Sequence, residues 1–286
     1  MNSFQKVIKY GAITFAVLLA ITIISGITNA AVSIISLVDG DYMFNSKPKK
    51  VTSFDDRESF TDVESLDIDI ASVNLVITEG DRFLVEANDI SEDFEMKVTN
   101  RGTLVIRERK KGTHFLWFYF NVNSNYFSDL TLYIPSGYQL KEAKINTGAG
   151  KVVMDNLSTE KLIIDAGAGS IKGNKLSASK VDLNGGAGLI SFDDVIFKDM
   201  DLDSGVGKVE INGVLLGNNT IDCGIGDIDI EIDDREENFD LDIETGLGDF
   251  RLNGRRITKE YRKNNNASSS IKIDGGIGDI DINFTK

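Results

Sequence analysis

Apolar and polar residues alternate around a Gly-x-Gly element that recurs seven times in the second half of the chain. The elements open at Gly148, Gly167, Gly186, Gly205, Gly224, Gly246 and Gly276. Three residues before each opening glycine the side chain is Ile or Leu, and four residues after it the side chain is apolar. The residue two before each opening glycine is polar. Alternation with a period of two predicts β-strands that bury one face.

The first five elements are evenly spaced at intervals of 19 residues, and the last two intervals are 22 and 30 residues. Nineteen residues hold two short strands, a glycine corner and a return loop, but no long helix. One such unit buries little surface by itself, so the units should stack and share one core. We therefore predict an all-β fold, a β-solenoid or β-roll of about seven Gly-x-Gly rungs over residues 141–286. An antiparallel sandwich is the alternative.

Two further expectations concern the details of this stack. The residue between the glycines is apolar and grows along the chain, from Ala149, Ala168 and Ala187 to Val206, Ile225, Leu247 and Ile277. We interpret this growth as a core that widens. The two longer final intervals predict loops that bulge from the last rungs, at Asp233–Asn238 and Gly254–Ser269.

Residues 51–140 alternate strongly but show no clear period. The segments Leu66–Ile70, Leu75–Ile77 and Leu130–Ile134 are strand-like, and turn residues separate them. We predict irregular β-structure that forms the first rungs and caps the open end of the stack.

The N-terminal part has a different character. No charged residue occurs from Tyr10 to Val38. This uncharged run is long enough to form a transmembrane helix. Lys6 and Lys9 precede this run, so the positive-inside rule places residues 1–9 in the cytoplasm and the C-terminal domain outside, with residues 39–50 as a linker. We therefore predict a single-pass cell-membrane protein. A cleaved signal peptide is the alternative.

Charge is concentrated in one part of the sequence. The chain has 45 acidic and 31 basic residues, and residues 199–249 hold 16 of the acidic residues against two basic ones. A basic cluster follows, comprising Arg251, Arg255, Arg256, Lys259, Arg262 and Lys263. Both can be solvated surface. The alternatives are a cation site in the acidic block and an anionic-polymer or lipid contact at the basic cluster. The acidic balance argues against nucleic-acid binding.

Candidate chemistry is sparse, and we predict no catalytic, cofactor-binding or metal-binding residues. One cysteine, Cys223, allows neither an internal disulfide nor a cysteine-built zinc site, and one histidine, His114, allows no multi-histidine centre. His114 begins an aromatic run to Phe120 that is a core strand or an exposed tip. The Gly-x-Gly elements lack the third glycine and the following helix of a dinucleotide site. In Gly275–Ile282, Ile280 occupies the carboxylate position of a calcium β-roll.

Stacked rungs would align the polar residues that precede each corner. We expect hydrogen bonds between Asn and Asp in the first four rungs, and an acidic edge in the last three, at Asp222, Glu244 and Asp274. Loose binding of divalent cations along this edge is a hypothesis.

The Gly-x-Gly strand repeats, the sequence Leu132-Tyr133-Ile134-Pro135-Ser136-Gly137 and the apolar N-terminus together resemble the bacterial putative adhesin family. The resemblance implies an extracytoplasmic β-solenoid. We predict that it serves as a surface adhesion or interaction scaffold and, since the sequence has no cleft signature, that it is not an enzyme. Its partners would be the membrane and a protein or envelope polymer. An accessory role in envelope-stress sensing or regulation is the alternative.

Overall fold

The computed structural model describes residues 54–91, 94–108, 127–257 and 260–286. The predicted membrane helix, its flanking segments and the aromatic run at 114–120 lie outside these residues. Among the described residues, no helix combines the length and the apolar character that crossing a bilayer requires.

The described chain is all-β, as the alternation predicts, with eighteen strands and one short 3-10 helix at Glu236–Asn238. Hydrogen bonds join all of these strands into one network. The strands are β1 (Phe54–Phe60), β2 (Ser65–Gly80), β3 (Phe83–Ile90), β4 (Phe94–Val98), β5 (Thr103–Glu108), β6 (Ser128–Pro135), β7 (Gln139–Asp155), β8 (Ser158–Asn174), β9 (Ser177–Lys198), β10 (Met200–Leu216), β11 (Asn218–Ile225), β12 (Ile228–Ile232), β13 (Phe239–Leu247), β14 (Phe250–Leu252), β15 (Arg255–Ile257), β16 (Glu260–Lys263), β17 (Ser269–Ile277) and β18 (Ile280–Phe284).

The Gly-x-Gly units form parallel rungs that stack in register. β7, β8, β9 and β10 each run continuously through a corner, and each pairs with the next along its length. The Ile or Leu that precedes the corner is aligned from rung to rung, so Ile145 pairs with Ile164 and Ile164 with Leu183. These side chains are at most 1% exposed, which makes this column the centre of the core. A run of buried branched side chains of this kind contributes most of the driving force for folding.

The stack begins one rung earlier than the glycine spacing reveals. β2 pairs in parallel with β7, and Ile68 aligns with Ile145. At its corner β2 has Ala71-Ser72-Val73 where the later rungs have Gly-x-Gly, and Ser72 aligns with Ala149. This rung therefore lacks the glycine signature although it has the same geometry.

The last rungs stack in an order that differs from their order in the chain. β11 and β12 pair with β17 and β18, which in turn pair with β13 and β14. The C-terminal rung is thus inserted between two rungs that precede it in sequence. Asp222 consequently neighbours Asp274, and Glu244 lies at the far side of Asp274.

Antiparallel strands cover both ends of the parallel stack. At one end β4 pairs with β5, and β3 pairs with β6 and β1. At the other end β15 pairs with β14, and β16 pairs with β13. The predicted loop Gly254–Ser269 is therefore wrong in part, because the segment supplies two capping strands. Such strands protect the parallel edge from pairing with other chains.

Candidate binding groove and apolar ridge

The two glycines of each corner are required for different reasons. At Gly167 the backbone φ is not positive, but a Cβ would lie 2.4 Å from the carbonyl oxygen of Gly148 in the preceding rung. At Gly169 the φ is +132°, and a Cβ would lie 1.8 Å from the carbonyl oxygen of Gly150. The first glycine therefore permits close stacking, and the second also permits a backbone conformation that L-residues avoid. Stacked rungs therefore align their opening glycines in a column without side chains.

An open groove of about 980 Å³ follows this glycine column along the stack. Its floor is formed by the opening glycines, from Gly148 to Gly276. One wall carries the polar residues two positions before each corner, which are Asp69, Asn146, Asp165, Asn184, Asp203, Asp222 and Asp274. These residues come from seven rungs, and at about 4.8 Å per rung the groove is about 29 Å long.

The polar wall changes character along its length. Asn184 donates a hydrogen bond to Asp165 at 2.8 Å, as the alternation of Asn and Asp predicts. The expected network is incomplete, however, because Oδ1 of Asn146 is buried and has no hydrogen-bond partner among the described residues. Other Asn–Asp pairs, which the sequence reasoning missed, stabilise the part of each rung that follows the corner. In one of them Asn212 donates a hydrogen bond to Asp193 at 2.9 Å. The signal that could have found them is the 19-residue separation within each pair.

Asp203, Asp222 and Asp274 form an uninterrupted acidic column on three consecutive rungs. Within the described residues none of the three has a hydrogen bond or an ion pair. Partial burial, with the neighbouring charges of Asp203 and Asp274, raises the pKa of Asp222, and Lys272 opposes this shift. Carboxylates at rung spacing make this part of the groove electronegative.

The residues between the glycines lie on the outside of the stack, so the interpretation of a widening core is wrong. Val206, Ile225, Ile277 and Leu247 are 48%, 49%, 49% and 63% exposed. They pair in that order on four consecutive rungs, and we call them the apolar ridge. The reason is the corner itself, where the chain turns and the residue between the glycines points away from the core.

Four members of the basic cluster form ion pairs within the molecule, namely Arg251, Arg256, Arg262 and Lys263. Arg262 bridges two carboxylates of β13, and Lys263 bonds the carboxylate of Glu236, which raises the pKa of both basic groups. The ion pairs are Arg251–Asp281 at 3.2 Å, Arg256–Asp249, Arg262–Asp242 at 2.8 Å, Arg262–Glu244 at 2.8 Å and Lys263–Glu236 at 2.7 Å. These bases therefore offer little free positive charge for an anionic polymer or lipid. Lys259 lies outside the described residues.

Three aspartates after the final corners have a structural role. The backbone N–H of Asp279 donates to the carboxylate of Asp227 at 2.9 Å, and that of Asp249 donates to the carboxylate of Asp279 at 2.8 Å. The carboxylates of Asp227 and Asp279 thus accept hydrogen bonds in place of main-chain carbonyl groups, at points where the strands are interrupted. Among the described residues, no cluster of three or more His, Cys, Asp or Glu side chains is arranged to hold a metal ion. Cation binding along this edge stays a prediction.

Cys223 lies directly before the opening glycine of its corner. It is 4% exposed, and burial raises the pKa of its thiol. The thiol is therefore a poor nucleophile, since thiolate is the reactive form.

Comparison with known proteins gives a family match and several distant structural matches. A family model described as Toastrack DUF4097 matches residues 63–223, which is more than half of the chain. No curated protein matches the chain.

Three crystal structures illustrate the structural matches. A putative cell adhesion protein from Clostridium sporogenes is 14% identical, with a TM-score of 0.37, over 82% of this chain and 100% of that one. A putative adhesin from Bacteroides fragilis is 12% identical, with a TM-score of 0.38, over 82% and 98%. A protein from Parabacteroides distasonis described as a putative lipid binding protein is 15% identical, with a TM-score of 0.38, over 82% and 96%. Scores of this size carry no argument about ligands.

Proposed function

The chain belongs to the Toastrack DUF4097 family, and we propose that it is a surface interaction scaffold rather than an enzyme. In this proposal the stacked rungs are a stiff support, and the binding surface runs along the glycine corners. Partner recognition then depends on side chains presented at fixed rung spacing. The partner is a protein or an envelope polymer, and an acidic groove disfavours nucleic acid.

The apolar ridge is the observation that carries this proposal. Four large apolar side chains, each about half exposed or more, lie side by side beside an open groove. Single exposed apolar residues are common on protein surfaces, but a contiguous exposed patch marks an interaction site. The smaller Ala149, Ala168 and Ala187 at the same position in earlier rungs show that the fold does not need large side chains there.

The proposed location is the outer face of a cell membrane. The uncharged run from Tyr10 to Val38 would anchor the chain, and Lys6 and Lys9 favour a cytoplasmic N-terminus. Alkaline phosphatase, which is active only outside the cytoplasm, can be fused after Lys286 to test this orientation. An inactive fusion that is expressed at a normal level would contradict it.

The scaffold proposal is tested by crosslinking the tagged full-length chain in bacterial membranes. A quadruple variant replaces each ridge residue by Thr, which has a high β-propensity but removes apolar surface. A matched control changes two exposed apolar residues away from the ridge, Ile196→Thr and Leu216→Thr. We expect a crosslinked partner that is lost in the ridge variant and retained in the control. Equal crosslinking by all three proteins would refute the role of the ridge.

A further inference from the structure

We infer that the apolar ridge and the acidic column together form a docking site for a cationic amphipathic helix of a protein partner. This inference rests on the proposed scaffold function and specifies the class of partner. It is carried by three features of the described residues, namely the exposure of the ridge, the unpaired charge beside it and the spacing of the rungs.

The ridge and the acidic column are next to each other because of the corner geometry. Asp222 and Ile225 belong to one rung, and only Cys223 and Gly224 separate them. Cys223 is buried and Gly224 has no side chain, so no other exposed side chain of this rung separates the carboxylate from Ile225 along the chain. The same arrangement recurs at Asp203 with Val206 and at Asp274 with Ile277.

The charge next to the ridge selects a cationic occupant. Several acidic side chains of the late rungs form ion pairs with Arg251, Arg256, Arg262, Lys263 or Lys208. Among the described residues the acidic column makes no ion pair, and the nearby Lys272 offsets its charge only in part. A second copy of this chain would bring its own carboxylates to the contact, and an anionic lipid surface or a nucleic acid would be repelled as well.

The rung spacing favours a helix over an extended strand. Neighbouring rungs are about 4.8 Å apart, so the three steps of the ridge cover about 14 Å. A helix lying along the ridge presents one side chain per turn of about 5.4 Å, or about 16 Å over three turns. An extended strand presents same-face side chains about 6.7 Å apart, or about 20 Å over three steps. Only the helix keeps all four contacts within the reach of a side chain.

The required partner sequence follows from this geometry. An apolar stripe at i, i+4, i+7 and i+11 would pack on the ridge, as in other helix-in-groove complexes. Lys or Arg on one flank of this stripe would face the acidic column. The cations are needed on that flank only over three rungs, because Arg262 already neutralises Glu244 beside Leu247.

Binding of a designed peptide tests the inference directly. The probe is a fluorescent 18-residue helical peptide with a Leu stripe and Lys on one flank, which is about 27 Å long. Its anisotropy is titrated with the full-length chain in phosphatidylcholine nanodiscs, and empty nanodiscs serve as the reference. The comparison peptides carry Glu in place of Lys, or the same residues in scrambled order.

Two variants and two matched controls separate the apolar and the acidic contributions. The ridge variant carries Thr at all four ridge positions, and Ile196→Thr with Leu216→Thr is its control. The acidic-column variant carries Asp203→Asn, Asp222→Asn and Asp274→Asn, and Glu58→Gln with Glu79→Gln and Glu160→Gln is its control. All substituted side chains are exposed, and melting curves verify that each variant folds.

The inference predicts a clear pattern of affinities. The ridge variant should raise the Kd of the Lys peptide about tenfold or more, because it removes the apolar contact. The acidic-column variant should raise the Kd at least about fivefold and flatten its dependence on salt. Both controls should bind like the wild type, and neither the Glu peptide nor the scrambled peptide should bind comparably.

Several outcomes would overturn the inference. Unchanged binding by either variant would do so, and so would equal binding of the Glu peptide. If the wild type without peptide self-associates, or binds vesicles, and the ridge variant does not, the occupant is a second copy or a lipid surface. A ridge-dependent crosslink in membranes without peptide binding would reject the cationic helix and leave the scaffold function intact.

Discussion

The second glycine of each corner should be among the least replaceable residues of this protein, and Gly188→Ala tests this. The φ of Gly188 is +142°, and a Cβ would lie 1.7 Å from the carbonyl oxygen of Gly169. Bringing that contact to 3.0 Å requires the rungs to separate locally by about 1.3 Å. A hydrogen bond of ordinary length does not survive such a displacement.

The expected loss of stability follows from two contributions. A non-glycine residue held in this backbone region costs about 1–3 kcal/mol. Loss of two ladder hydrogen bonds between the rungs costs about 1 kcal/mol each. Together Gly188→Ala should lower the free energy of unfolding by about 3–5 kcal/mol, and the melting temperature by about 6–20 °C.

Chemical denaturation of the wild type and two variants measures this effect. Gly137→Ala is the matched control, because Gly137 has a φ of +71° but nothing within 4 Å of a Cβ. We expect the control to lose about 1 kcal/mol, from backbone strain alone. If the two substitutions cost the same, stacking against the preceding rung is not what requires the glycine.

Three further predictions concern the late rungs. Asp222→Asn should stabilise the protein by about 1 kcal/mol at neutral pH and low salt, because it relieves repulsion from Asp203 and Asp274 at about 5 Å. The pKa of Asp222 is raised in the folded state, so this gain in stability should disappear as the pH falls through that pKa and the wild-type carboxyl is protonated. Denaturant titrations at several pH values and salt concentrations measure the gain. A gain that stays constant would contradict the reasoning. The Cys223 thiol should react with a thiol reagent only after unfolding, and rapid modification of the native protein would contradict its burial. Truncation after Lys263 should abolish cooperative unfolding measured by circular dichroism, because it removes an internal rung; a merely shortened stack that still melts cooperatively would argue against the inserted order.

The core of the stack was predictable because it depends on local alternation. Ile145, Ile164 and Leu183 occupy equivalent positions in each unit, and the structure buries and aligns them. The family resemblance that the repeats suggested is confirmed by the match over residues 63–223. The first rung was harder to recognise, because Ala71-Ser72-Val73 replaces its glycines.

The candidate site was predictable only in part. Its polar wall follows from the residues two before each corner. The position of the ridge does not follow from the sequence. An apolar residue between two strands is expected in the core unless the structure shows that the corner turns its side chain towards solvent. Val206 and Ile225 were expected inside and are instead about half exposed.

The sequence by itself determined the all-β class, the 19-residue rung and the side chains that face the core, because each depends on contacts that repeat with the chain. The tertiary structure alone decided which rungs are neighbours at the end of the stack and which charges are compensated. A period in sequence specifies what a rung is, but not where the last rung inserts, since β17 can pair with any rung of the same shape. That insertion places Asp274 next to Asp222 and Ile277 next to Ile225, and it thereby extends the acidic column and the apolar ridge.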